Sequence, residues 1–432
     1  MDWKLDRPAL AAKMAGWACL SATALILLPK GFAPFGALLA VLTLLAPGML
    51  VAAWPRCSRE LGWLALLAIV LLSCVVVSTR LQGQGWHQVD NPARFLLMPW
   101  CALVAFTFAP SRKWLWLGAM AGICIGVSIA LWQAFSGIER AGAGSNPIVF
   151  ANAVLALQVV TVYCRPEGRK AGVLLPIAIT LVLGTIAIVL SGSRGTLPGF
   201  VVMLLVALIG SGGKKRWPRI GFAFGLLAGA FWVMWTVPWL AAQTRLQDIH
   251  VDLEKYARGH VDSPIGARLQ FLELSRDAFL AHPLTGVGVD RFGTLVDQLP
   301  VCRMSQHELH QPGVCQLDHA HNDLAQWAAT MGIPGLMMIV AIYLVPLLLF
   351  VRLIRALRPA APSGAAWTGA MLVLVYVLSG MTQSMFAHAL TTTVYVVFVG
   401  LLAGMALRES EADLQPLRPA PRWMLGSSWR AE

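Results

Sequence analysis

Charged side chains are scarce in this chain. Only 12% of its 432 residues are Asp, Glu, Lys or Arg, against roughly 25% in a soluble domain. That scarcity excludes a design built mainly around a water-facing surface. Acidic residues are scarcer than basic ones, 21 against 33, which leaves a formal net charge of +12. The excess does not read as nucleic-acid binding, because no basic stripe interleaved with aromatics is present. The eight cysteines include no CxxC pair, so nothing points to a redox or zinc motif of that spacing. Six of them lie in or beside apolar runs, where a thiol behaves as a small hydrophobe. Cys302 and Cys315 sit instead in a long polar segment, and can pair if it faces an oxidising compartment.

What is abundant is apolar sequence, 57% of the chain, in runs close to the roughly 20 residues needed to cross a bilayer. The expected fold class is all-α polytopic membrane protein with about twelve spans. They are placed near 10–28, 32–54, 61–79, 92–109, 113–135, 147–163, 171–190, 195–211, 218–239, 322–351, 364–385 and 389–407. The N-terminus, with Lys4, Arg7 and Lys13 before Met14 to Leu28, has the look of a signal peptide. Pro29-Lys30-Gly31 is a poor cleavage site and another apolar run follows at once, so this is read as an uncleaved first helix.

Alternate loops separate by charge. Arg56/Arg59, Arg112/Lys113, Arg165/Arg169/Lys170, Lys214/Lys215/Arg216/Arg219 and Arg352/Arg355/Arg358 fall in one set, with both termini (Arg418 and Arg422 at the C-terminal one). The positive-inside rule makes that set cytoplasmic. The segment 240–318 is then periplasmic, too polar to span and too long for a turn, so it should carry function. The expected organisation is helices 1–9 over 1–239, a partly helical loop over 240–318, helices 10–12 over 319–408 and a cytoplasmic tail over 409–432. Few cations fall on the periplasmic side: Arg80, Arg140 and Arg194, with Arg94 just inside a span. Each alone can be a snorkelling anchor. Several converging on a polar loop look like an anion site.

Three motifs stand out. In "LSGSRGTLPGF" the glycines Gly192 and Gly195 bracket Arg194 in a tight turn, as an anchor or as a fixed guanidinium for a phosphate. In "DSPIGARLQFLELSRDAFLAHP", Ser263-Pro264 starts a helix and Pro283 ends it. Its apolar face is expected to hold Phe271, Leu272, Leu274, Ala278 and Phe279, with Arg268 in the middle and Arg276 at the edge. A salt bridge or an anionic ligand would satisfy Arg268 there. "HAHNDLAQWAATMGIPG", from His319 to Gly335, puts two histidines before a helix whose start Asn322 and Asp323 can cap. With His307 and His310 nearby, the spacings also suit a zinc site, but no acidic or Cys ligand set completes a signature. The alternative use is one neutral imidazole as a general base.

Together these motifs resemble the O-antigen ligase family of the Wzy/ligase superfamily, over most of the chain. The family signature is His, then Asn, Ser or Gln, nine residues, Gly, two residues, Gly. Here it reads His321, Asn322, Asp323 through Met331, Gly332, Ile333-Pro334, Gly335. The family's membrane-edge arginine matches Arg194, and its loop arginine matches Arg268. The resemblance implies a GT-C-like fold and a metal-independent, cofactor-free, inverting glycosyl transfer on the periplasmic face of the inner membrane of a Gram-negative bacterium. The donor would be O-antigen on undecaprenyl diphosphate and the acceptor a sugar hydroxyl of lipid A–core. It casts His321 as base, Arg194 and Arg268 as catalytic cations, and Arg80, Arg94, Arg276, His319 and Asn322 as further substrate contacts. Rivals are a Wzy-type polymerase, a protein O-oligosaccharyltransferase and a polyprenyl-lipid flippase. The polymerase's Arg-x10-Gly pattern is missing, since eleven residues on from Arg268, Arg276 and Arg291 stand Phe279, Val287 and Cys302.

Overall fold

The computed structural model describes residues 7–166, 171–210, 248–259, 263–305, 312–357 and 362–414, with isolated positions between 218 and 241. Among the described residues the fold is all helical. The first half holds α1 (Arg7–Ala24), α2 (Ala33–Leu45), α3 (Pro47–Leu81), α4 (Leu97–Phe108), α5 (Arg112–Phe135), α6 (Pro147–Tyr163), α7 (Ala171–Leu190) and α8 (Leu197–Ile209). The long polar segment contributes α9 (Asp248–Ala257) and α10 (Pro264–Ala281). The C-terminal third is α11 (Asp323–Leu357), α12 (Ala365–Gly380) and α13 (Ala389–Leu414). The expected ninth span, 218–239, lies mostly outside the described residues.

Among the described residues five helices are long and apolar enough to cross a membrane: those over 47–81, 112–135, 172–190, 323–357 and 389–412. Apolar helices of fewer residues fill other expected spans, among them Ala33–Leu45, Pro147–Tyr163 and Ala365–Gly380. α6 is buried along every residue from Val149 to Tyr163 and forms the centre of the bundle with α13. α13 lies close along α4 because Gly400 and Gly404 face it: a Cβ on either would meet the Met98 or Ala102 carbonyl oxygen at 2.4 and 2.1 Å. Without a side chain there, the two backbones approach, which is how helices associate in lipid. On the outside, α3 and α7 expose Trp63, Ile69, Val77, Leu174 and Val182, an apolar surface suited to lipid.

Two expectations need correction. The second and third spans do not divide at Pro55–Glu60. The chain breaks at Ala46, Pro47 takes the first position of the next helix, and α3 then runs unbroken through Arg56, Arg59 and Glu60. Proline breaks a helix by what precedes it, and Pro47 sits where its missing N–H costs nothing. The buried stripe of α10 is also turned by about one position: Ala267, Phe271, Ser275 and Ala278 are inside, while Leu272 is 41% exposed. Ser275 can occupy that stripe because its hydroxyl donates to the Phe271 carbonyl at 2.6 Å.

Charge gathers at one end of the bundle, in pairs. Arg56 bonds Glu411, Arg112 lies 3.1 Å from Glu409, and Arg352 lies 3.6 Å from Glu60. α3 runs from Glu60 at this end to Arg80 at the other, where Gln82 and Gln84 reach the carbonyls of Gly286 and Val289. Beyond α10, short turns over Phe292–Val296 and Pro300–Met304 complete a small separate core on Phe271 and Phe292, closed by a disulfide between Cys302 and Cys315.

Candidate functional site

The signature glycine marks a break. Gly332 interrupts α11 with φ 66° and ψ −146°, a backbone state that side chains strongly disfavour. The loop leaving α10 fills the gap. The Ile333 N–H donates to the Pro283 carbonyl at 2.7 Å, and the N–H groups of Val287 and Gly288 donate to the carbonyls of Ala329 and Thr330 at 2.9 Å each. These bonds re-pair the Ala329 and Thr330 carbonyls and the Ile333 N–H at the break, as an apolar setting requires. A Cβ on Gly332 would meet the Pro283 oxygen at 2.3 Å, and one on Gly335 the Trp327 oxygen at 2.3 Å. Gly332 therefore seats the polar segment on α11 behind His321, while Gly335 lets α11 pack closely on its own Trp327 turn.

His321 itself is buried and left-handed, with φ 51°. A non-glycine residue held there is strained, and such strain collects at functional sites. The residues after it hold it in place. Asn322 caps α11: its Oδ1 accepts from the Ala325 N–H at 3.0 Å, and its Nδ2 donates to the Met381 carbonyl at 3.1 Å. Asp323, expected as the cap, instead points into the bundle and accepts from the Tyr343 hydroxyl at 2.6 Å. Asn322 thus serves the helix start, with both polar groups engaged, rather than standing open as a substrate contact.

Around His321 the imidazoles cluster. The His319 ring lies 4.6 Å from that of His321 and 4.9 Å from that of His388. The Phe271 ring of α10 runs nearly parallel to His321 at 6.4 Å. His321 Nδ1 lies 2.6 Å from Gln383 Oε1, and Gln383 Nε2 lies 2.8 Å from His388 Nε2. His319 Nδ1 bonds Asp318 at 2.5 Å, which holds that carboxyl below its usual range, while His319 Nε2 is buried with no partner among the described residues. Burial first, then His319, pushes the His321 imidazole down to about 4; the hydrogen bond to Gln383 pulls it back up in part, and Arg268 and His388 add lesser downward pushes. Burial and His319 likewise push His388 down to about 4. Both rings are neutral at pH 7.

The arginines converge from two connections and one helix. Arg194 opens a single turn, Arg194–Thr196, after Gly192, and the Gly195 carbonyl of that turn accepts from the Thr382 hydroxyl at 3.4 Å, next to Gln383. Arg140 Nε donates to the Ser191 carbonyl at 3.0 Å, which ties its loop to the same turn. Arg268 comes from α10, half-buried. Burial and then the nearby charges of Arg194 and Arg140 lower its pKa from the ordinary arginine value. Among the described residues no carboxylate lies within ion-pair distance of Arg268. Burial of several like charges together is costly unless an anion completes the site.

The other expected contacts have partners of their own. Arg80 is exposed and stacks on Trp86 at 4.2 Å. Arg276 is 67% exposed and bonds its neighbour Asp277 at 2.9 Å. Arg94 bonds the Thr393 hydroxyl at 3.0 Å at the start of α13. His307 and His310 lie outside the described residues. Gln383 and His388 went unremarked in the sequence, and Arg140 stood there only as one of several edge cations. The one available signal was a polar interruption, "MTQSMFAH", between the last two apolar runs.

The arrangement defines a class first: a helical membrane protein with a site of arginines and neutral imidazoles at one end of its bundle, suited to an anionic substrate and proton transfer. The comparison with known families narrows it. Residues 179–340 match the family model described as O-antigen ligase, and over that segment the chain is similar to O-antigen ligases. Arg194, Arg268, His321, Gly332 and Gly335 all fall inside it. Arg140, Gln383 and His388 fall outside and join the site through the fold. No curated protein matches the chain.

Proposed function

We propose that the protein transfers O-antigen polysaccharide from undecaprenyl diphosphate to a sugar hydroxyl of lipid A–core. In this reading it is a twelve-span protein of the inner membrane with the site on the periplasmic face. The observation that carries it is the meeting of Arg194 and Arg268 with a neutral, buried His321 inside the matched segment.

The chemistry follows from those groups. A sugar hydroxyl is a weak nucleophile. His321 takes its proton as the oxygen attacks the donor's anomeric carbon from the face opposite the leaving group, so the configuration inverts. The bond from that carbon to the diphosphate oxygen breaks, and the diphosphate leaves with the electron pair. Arg194 and Arg268, with Arg140 behind them, stabilise the charge that grows on it. An imidazole pushed down to about 4 is a feeble base, but the environment changes when the donor arrives. A diphosphate neutralises the cations that depress His321 and raises its proton affinity in the bound complex. The base is thus strengthened only when there is something to react. Both substrates carry lipid tails, which suits a site at the end of a membrane bundle. The diphosphate linkage carries the driving force, so no ATP and no cofactor enter.

A Wzy-type polymerase would use the same donor and the same groups, with a second lipid-linked chain as acceptor. The missing Arg-x10-Gly pattern favours the ligase. The test is transfer of lipid-linked O-antigen to lipid A–core in vesicles containing the wild-type protein or His321→Ala, with EDTA and without ATP. The wild type should remain active, and the variant should lose about 100-fold or more at unchanged protein level. Full activity of the variant would remove the base from the mechanism, and activity lost to EDTA and restored by zinc would replace it with a metal.

A further inference from the structure

We propose that Gln383 is a positioning residue that fixes the His321 imidazole as its Nδ1–H tautomer, and that His388 fixes the Gln383 amide in the orientation that does so. This rests on the reading of His321 as a general base, and extends it to groups outside the matched family segment.

An imidazole can act as base only through a nitrogen whose lone pair is open. The backbone of His321 is already set by its left-handed φ of 51° and by Asn322 bonding both its own helix and Met381. What stays free is the choice of which nitrogen carries the proton. Gln383 is fully buried and its Oε1 stands 2.6 Å from His321 Nδ1. A carbonyl oxygen only accepts, so Nδ1 must hold the hydrogen and Nε2 keeps its lone pair. Nε2 has no hydrogen-bond partner among the described residues. Were the amide reversed, its NH2 would face Nδ1, the hydrogen would move to Nε2, and the base would be lost.

Two features prevent that reversal. The Gln383 Nε2 stands 2.8 Å from His388 Nε2, which accepts from it only while His388 is neutral and carries its own hydrogen on Nδ1. Burial keeps it neutral. The Gln383 backbone is held as well, its N–H donating to the Ser379 carbonyl at 3.0 Å. Its neighbour Thr382 donates to the Gly195 carbonyl beside Arg194, so one short loop registers both the base and a cation of the site. The charged and titratable groups facing His321 are His319, Arg268 and His388, with Asp318 behind His319. None of them supplies an acceptor to Nδ1, which leaves Gln383 to set the tautomer.

The direct test is 15N spectroscopy of histidine-labelled full-length protein in lipid nanodiscs, with the His321 signal assigned by its loss in His321→Ala. At neutral pH the wild-type signal should be that of a neutral Nδ1–H imidazole. In Gln383→Met it should move towards the Nε2–H form, with transfer slowed on the order of tenfold or more and KM for the lipid-linked donor within about twofold of wild type. Gln383→Glu keeps an acceptor at Nδ1 and should retain the Nδ1–H form. Its negative charge should move the acid limb of the pH–rate profile upwards by about one unit or more. A wild-type His321 found as Nε2–H, or a tautomer unchanged in Gln383→Met, would overturn the assignment. The spectrum needs no turnover, so a protein that fails to transfer O-antigen yet holds the Nδ1–H form would sink the proposed reaction and leave this inference standing.

Discussion

The two ends of the bundle use the same side chain to opposite purposes. At one end Arg56, Arg112, Arg352 and Arg408 meet Glu411, Glu409 and Glu60, each cation with its carboxylate. At the other end Arg268 sits beside Arg194 and Arg140, with its charge disfavoured by all of its surroundings. Among the described residues of that end, Asp318 bonds His319, Asp277 bonds Arg276 and Asp323 bonds Tyr343. A pair that closes on itself holds helices together. A cation kept near other cations and away from acids is suited to an anion that comes and goes. The comparison sets Arg268 apart from the paired arginines by partner rather than by position in the sequence.

The sharpest way to break it is to alter the cations on the site side. Arg268→Lys and Arg194→Lys keep the charge and lose the planar fork, which should cost about tenfold to 100-fold in transfer rate if each makes charge-assisted bonds to a diphosphate. Wild-type rates in both would argue against specific recognition. Next in size is Gly332→Ala, which must bring a Cβ against the Pro283 oxygen at φ 66°. We expect a destabilisation of about 1–3 kcal/mol, seen as a lower unfolding temperature in detergent, together with lost activity as the loop behind His321 detaches. An unaltered melt would mean that this seating is dispensable.

The pH dependence sharpens the same contrast. In the proposed mechanism His321 serves as the base above its pKa, and that role is lost as pH falls through it. The rate constant kcat/KM, which reports the free protein, should therefore stay level from neutral pH downwards and fall only near about 4. The limb for kcat should stand at higher pH, because the bound diphosphate raises the His321 pKa. Coincident limbs would contradict that coupling. The smallest effect is expected at the opposite end. Arg56→Ala breaks a pair whose arginine is 46% exposed, and should cost under about 1 kcal/mol with transfer unchanged. If it slowed transfer as much as Arg268→Lys does, the division between the two ends would fail.

Much of the site was readable in the chain because its parts carry local signals. Arg194 lies in a glycine-bracketed turn, Arg268 on a Ser-Pro-started helix, and His321 at a fixed distance from two glycines. What those glycines do was not readable. Gly332 makes sense only once Pro283, 49 positions earlier, is seen against it. Gln383 and His388 were invisible for the same reason: Gln383 meets His321 across a separation of 62 residues. Of the two expected caps only Asn322 serves as one, since sequence shows two acceptors at a helix start and cannot show that Tyr343 lies inward to take Asp323. The break at Ala46 was missed because charged residues look like a loop, whereas α3 carries Arg56 and Glu60 on helical turns that pair with α13 and α11.

The most direct test of the account is the product itself. Purified protein reconstituted in vesicles would be given lipid-linked O-antigen of defined length and lipid A–core, and the products resolved by size and mass. The account predicts lipid A–core carrying one preformed chain, with release of the polyprenyl diphosphate. A lengthened lipid-linked polymer with unmodified lipid A–core would contradict it.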